Sequence, residues 1–105
     1  MLYVLNSPIL TSFGFYSYKP LSLAEAIALL KQGFTSAVGH EATASFLSQL
    51  TGIAIPVNRV QVQMRPGDRA IVFQVLQRLP EGKVLSEEEL KAVPYRLGLL
   101  IMEGE

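Results

Sequence analysis

The chain has 105 residues, no cysteine, one histidine, and nine basic side chains balanced by nine acidic ones. That length suits a single domain over residues 1–105. With half its residues hydrophobic, such a domain buries roughly two-thirds of its unfolded surface, which excludes disorder. The apolar runs are too short and too broken to span a membrane. Asn6-Ser7-Pro8 interrupts the opening before any secretory h-region can form. The absence of cysteine excludes disulfides and fits a cytoplasmic protein. A lone His with a lone Asp, Asp68, argues against a multi-ligand metal site. No metal or other cofactor is therefore expected.

Leu2 to Leu5 reads as a buried first strand closed by Asn6-Ser7-Pro8. Thr11 to Tyr18 alternates aromatic with small or polar residues and predicts a second strand or a long loop, with Gly14 marking a bulge. Ser22 followed by Glu25 has the spacing of a capping box, and Leu23, Ile27 and Leu30 continue it as a helix that stops at Gly33. After a link from Phe34 to Gly39, a second helix is predicted from His40 to Leu50, closed by Gly52. Val57 to Met64 alternates strictly, with Val60, Val62 and Met64 on one side and Arg59, Gln61 and Gln63 on the other. Joined by Arg65-Pro66-Gly67-Asp68, it predicts an antiparallel hairpin with a long strand from Arg69 to Arg78. Ser86 with Glu89 starts a short helix ending before Pro94, and Tyr95 to Met102 makes a last strand. The expected fold is α/β: a mixed sheet of about five strands flanked by helices.

Charge is zero in sum but uneven in place. Arg59, Arg65, Arg69 and Arg78 lie close in sequence, opposed there only by Asp68, while glutamates crowd the last twenty positions. A split of this kind suits a local anion site better than a basic face for duplex DNA. His40 follows Gly39 at a predicted helix start, where unpartnered amides favour phosphate and an imidazole can donate a proton to a leaving oxygen. It can equally be a surface or capping residue. Arg59 is either a phosphate ligand or part of a solvated strand face. Gln74 and Arg78 fall on a strand apolar on both faces, hence central, where a charge needs a partner. Glu81 is the nearest one, either as a structural ion pair or as the group that aims Arg78 at an anion. Asn6 follows the first strand, at the sheet end where α/β ligands usually bind.

Three blocks sharpen these options: Thr35-Ser36-Ala37-Val38-Gly39-His40-Glu41-Ala42-Thr43, Asn58-Arg59-Val60-Gln61-Val62, and Gln77-Arg78-Leu79-Pro80-Glu81-Gly82. In this order and spacing, with the Leu2-Tyr3-Val4-Leu5-Asn6 opening, they resemble the type III anti-CRISPR ring nuclease family over essentially the whole chain. The resemblance implies a homodimer that binds cyclic tetra-adenylate across its two-fold axis and opens it without a metal ion. It implies linear di-adenylate ending in a 2′,3′-cyclic phosphate as the product. By the same resemblance His40 would be the general acid, Arg78 would stabilise the phosphorane and Glu81 would orient Arg78. Asn6, Arg59 and Gln74 would contact the ring. The chain differs from some members at Ile9 and Ala42, where they carry serines.

Chemistry of this type fits the composition, because the substrate's own 2′-OH replaces a protein nucleophile. One histidine and one arginine can supply the proton and the charge stabilisation. Two other classes compete: a sponge that sequesters the ring uncut, and a small viral nucleic-acid-binding or virion protein. Localisation follows as the cytoplasm, that of the host if the protein is viral.

Overall fold

A computed structural model describes residues 1–7, 12–79 and 84–104. Its elements, in chain order, are β1 (Leu2–Leu5), β2 (Phe15–Pro20), α1 (Leu23–Leu30), β3 (Thr35–Ser36), α2 (Glu41–Thr51), β4 (Arg69–Val75), α3 (Glu87–Ala92) and β5 (Tyr95–Gly104). The five strands form one mixed sheet in the order β2-β5-β4-β1-β3. β1 runs parallel to both β3 and β4, while β5 is antiparallel to β4 and β2.

Local signals place the helices. Ser22 and Ser86 each accept from the backbone N–H three residues on, and Glu25 and Glu89 return the bond, so both capping boxes form. α2 begins one residue later than its apolar pattern indicates, because His40 has extended backbone angles and serves as the N-cap. Gly52 ends that helix with φ at +72°, a left-handed turn glycine adopts without Cβ strain.

All three helices pack on one face of the sheet. Ala26, Leu30, Ala42, Phe46, Leu47 and Val93 meet Leu2, Val4, Ile71, Phe73 and Leu99 there. The other face carries Leu5, Ala70, Val72, Leu100 and Met102, and is covered by Met64 with Val62, Tyr3 and Tyr16. β4, apolar on both sides, is central as its composition requires.

The predicted hairpin does not form. Both hydrogen-bonding edges of β4 are occupied, by β1 on one side and β5 on the other, so nothing is left for residues 57–64. That segment makes an isolated parallel bridge between Val57 and Val38, then crosses the second face in an irregular extended path. Its alternation is genuine, but burial follows it only toward the end of the segment: Met64 is buried and Val62 partly so, while Val60, Gln61 and Gln63 are exposed. Burial of alternate residues needs an extended chain over an apolar surface, not a ladder.

β4 also ends at Val75, short of Arg78. The Leu76 N–H donates to the Pro94 carbonyl at 3.0 Å, and the chain then leaves the sheet. Arg78 is therefore an exposed loop residue past the strand end rather than a charge on a central strand. The expected link from Phe34 to Gly39 contains the two-residue strand β3, paired with Tyr3 and Val4. β2 starts at Phe15 rather than Thr11, with its register shift between Phe15 and Tyr16, one residue past Gly14.

Candidate functional site

Three parallel strands share one carboxyl edge, and each delivers a site residue to it. β1, in the middle, ends at Leu5 and passes to Asn6 and Ser7. β3, on one side, leads through Gly39 to His40 at the head of α2. β4, on the other side, leads to Gln77 and Arg78. Parallel pairing forces these exits to the same end of the sheet, which is why α/β ligand sites collect there.

Among the described residues, two pockets at this edge have Asn6 in their walls. One, of about 240 Å³, is lined by Asn6, His40, Thr43, Val75, Gln77, Arg78 and Leu79. The other, of about 380 Å³, is lined by Leu5, Asn6, Ser7, Ala37, Gly39, Arg59, Val60, Gln61 and Val62. Among the described residues lining them there is no carboxylate, while Arg78, Arg59 and the N-terminus of α2 all contribute positive charge. Anionic oxygens in either pocket would find guanidinium and amide donors nearby. The first is the more polar, suited to phosphate; the second has the apolar walls of Leu5, Ala37, Val60 and Val62.

Arg59 reaches this edge because its segment is fastened to the connection between β3 and α2. Asn58 N–H donates to the Val38 carbonyl at 2.9 Å, and Asn58 Nδ2 to the Ser36 carbonyl at 2.7 Å. Arg59 Nε donates to the Gly39 carbonyl at 2.7 Å. Ser36 is itself buried, its hydroxyl donating to the Pro56 carbonyl at 2.6 Å. These bonds close residues 56–59 onto the loop that presents His40.

Of the six residues singled out in the sequence, the structure gathers four: Asn6, His40, Arg59 and Arg78. Gln74 is not with them. It stands on β4 opposite Arg96, half-buried on the face of Ala70 and Val72, and lines neither pocket. Glu81 and Ile9 lie outside the described residues. The arginine cluster also divides. Arg65 and Arg69 belong to the opposite end of β4, about 20 Å along the strand from Val75 at a rise near 3.3 Å per residue. There Asp68 Oδ2 accepts from the Arg65 N–H at 2.9 Å.

Sequence reasoning did not single out Thr43, Gln61 or Gln77 as site residues. Thr43 sits three residues after His40, one helical turn on and so on the same face. That spacing was the available signal. The alternation puts Gln61 on the side of Arg59, and only the path of residues 57–64 puts it in a pocket wall.

The STIV B116-like family model matches residues 2–97. The chain belongs to that family. Its backbone superposes on B116 of Sulfolobus turreted icosahedral virus with a TM-score of 0.84 at 26% identity, covering 95% of this chain and 97% of the other. It is 41% identical over 105 residues to "Uncharacterized protein 26" of Sulfolobus islandicus filamentous virus, spanning 94% of this chain and 89% of the relative. YddF of Bacillus subtilis is 36% identical over 99 residues, at 91% and 92% coverage. Proteins similar to this chain thus occur in viruses and in a bacterium, and B116 shares its fold. Among the described residues, no three His, Cys, Asp or Glu side chains lie close enough to hold a metal ion. None of the described helices is long and apolar enough to cross a membrane.

Proposed function

We propose that the chain is a metal-independent ring nuclease acting on cyclic tetra-adenylate, which switches off type III CRISPR signalling. The reading rests on the resemblance of the three sequence blocks, and one observation carries it further. Asn6, His40 and Arg78, which arrive from three different strands, line one pocket that Asn6 joins to the Arg59 pocket.

The chemistry needs three things of the protein: placement, a proton and a counter-charge. A ribose 2′-oxygen attacks the neighbouring phosphorus as its hydroxyl proton passes to solvent. The new P–O2′ bond forms while the P–O5′ bond breaks. His40 gives its proton to the departing 5′-oxygen, and Arg78 stabilises the charge on the phosphorane oxygens. Asn6 and Arg59 hold the flanking ring. No metal ion is required, because the nucleophile belongs to the substrate and in-line placement supplies much of the acceleration. One protomer offers one His40 and one Arg78 to a ring with four equivalent phosphates. A two-fold homodimer would present two facing sites and cut opposite bonds, giving two di-adenylates.

Incubation with cyclic tetra-adenylate in EDTA, followed by chromatography, tests the reading. Di-adenylate ending in a 2′,3′-cyclic phosphate supports it. A ring bound tightly yet recovered intact makes the protein a sponge, and a ring neither bound nor cut ends both readings.

A further inference from the structure

We infer that Arg59 is a positioning residue for His40, so that holding the ligand and aligning the acid are one event. For its kinetic consequences this rests on the ring-cleaving function proposed above; the geometry stands without it.

Asn58 and Arg59 are consecutive, and between them they occupy the carbonyls of Ser36, Val38 and Gly39. The last of these is the peptide that joins Gly39 to His40. Arg59 Nε grips its oxygen at 2.7 Å, and the arginine stem lies against Gly39, where a Cβ would come within 3.4 Å of Cγ. On the far side of the same residue, the His40 carbonyl accepts the Ala44 N–H at 3.0 Å, the first bond of α2. His40 therefore sits between two anchors. One is the rigid helix start; the other is the side chain of a residue nineteen positions later in the chain.

Arg59 is exposed and shares a pocket wall with Gly39. The Nε bond leaves the two terminal NH₂ groups of the guanidinium for an anion in that pocket. A planar guanidinium transmits direction: an anion on its outer edge fixes the plane and with it the line from Nε to the Gly39 oxygen. Lysine keeps the charge, but its three donors sit on one nitrogen, so it has no separate Nε to hold the carbonyl while a planar outer edge faces the anion. His40, at an extended N-cap whose side chain does not cap the helix, takes its backbone direction from this peptide.

A double-mutant comparison tests the inference. Single-turnover cleavage at saturating cyclic tetra-adenylate is measured for the wild type, Arg59→Lys, His40→Ala and the double variant. If Arg59 works through His40, Arg59→Lys lowers the rate about ten- to a hundredfold alone, the scale of a misplacement of about 1 Å. On top of His40→Ala it then lowers the rate less than about twofold. Equal losses in both backgrounds overturn the inference. A second arm needs no substrate. His40 is the chain's one histidine, so its ring Cε1–H gives an unambiguous NMR signal. That signal moves or splits in ligand-free Arg59→Lys if the guanidinium sets the His40 geometry, and an unchanged signal overturns it. Should the wild type leave the ring intact, the cleavage reading fails. The NMR arm then decides the positioning role alone, by the same two outcomes.

Discussion

Asn6 and Arg78 leave the sheet from neighbouring parallel strands and line the same pocket. Leu5 and Val72 are in register, so β4 runs three residues further than β1 before it ends at Val75. The extra length lets the chain after β4 turn back beside Asn6, and Arg78 arrives exposed rather than buried. Arg78→Ala should therefore leave the fold unchanged and remove only charge stabilisation. The expected loss is about a hundred- to a thousandfold in kcat, the scale for deleting one transition-state donor. Thermal unfolding within experimental error of wild type, together with product analysis of the ring, checks both halves.

His40→Ala should abolish cleavage and preserve binding of cyclic tetra-adenylate, since general acids contribute about a hundred- to ten-thousandfold. His40 is exposed, so no core is opened. Calorimetric binding beside the cleavage assay separates this outcome from one in which the histidine is needed for affinity.

The ring of Tyr18 lies over Gly98, where a Cβ would stand 2.5 Å from Cε1. Tyr18 is partly exposed, so in Gly98→Ala the ring swings aside and the β2–β5 ladder survives. The expected cost is about 1 kcal/mol, that of one cross-strand aromatic contact. Urea unfolding reads it, and the same substitution with Tyr18 already changed to Ser should cost less.

Ser22→Ala removes one partner of the α1 capping box and should destabilise the protein by about 1 kcal/mol. Hydrogen bonding to Ser22, through its side chain first and then its backbone, also holds the Glu25 carboxyl below the usual carboxylate range. A depressed carboxylate adds stability above its unfolded pKa and loses it as pH falls through the folded value. Glu25→Gln should therefore lower stability slightly at neutral pH and flatten the acid limb below about pH 4.3, so that variant and wild type converge as the carboxylate is protonated. Denaturant midpoints across that range test the sign.

Asn58→Ala removes the Nδ2 donor from the Ser36 carbonyl while the backbone bond to Val38 remains. Loss of one bond to a largely buried carbonyl should cost about 1–3 kcal/mol. Thermal unfolding, with Asn58→Asp as a variant that also lacks the donor, measures it.

Helices, caps and the central apolar strand were readable because their causes are local. A serine three residues before a glutamate closes its own turn, and an Ile71-Phe73 face with an Ala70-Val72 face can only be sandwiched. Val57 to Met64 misled for a physical reason: period-two burial arises on any extended segment laid over an apolar face. Whether it pairs depends on which strand edges are vacant, and β1 and β5, far away in sequence, had taken those of β4. Gln74 misled in the same way. A strand pattern gives the face of a residue but not whether a pocket lies there.

One histidine, no cysteine and balanced charge point to a small anion site made of few groups, and the sequence by itself names candidates for it. Of these Gln74 lines neither pocket, whereas Thr43, Gln61 and Gln77, which it did not name, each line one. Tertiary structure decided which of them meet. Parallel pairing of β1 with β3 and β4 brings Asn6, His40 and Arg78 to one edge. The same pairing sends Arg65 and Arg69 to the opposite end of β4. Strand direction is set by long-range hydrogen bonding, and no local run of residues carries it.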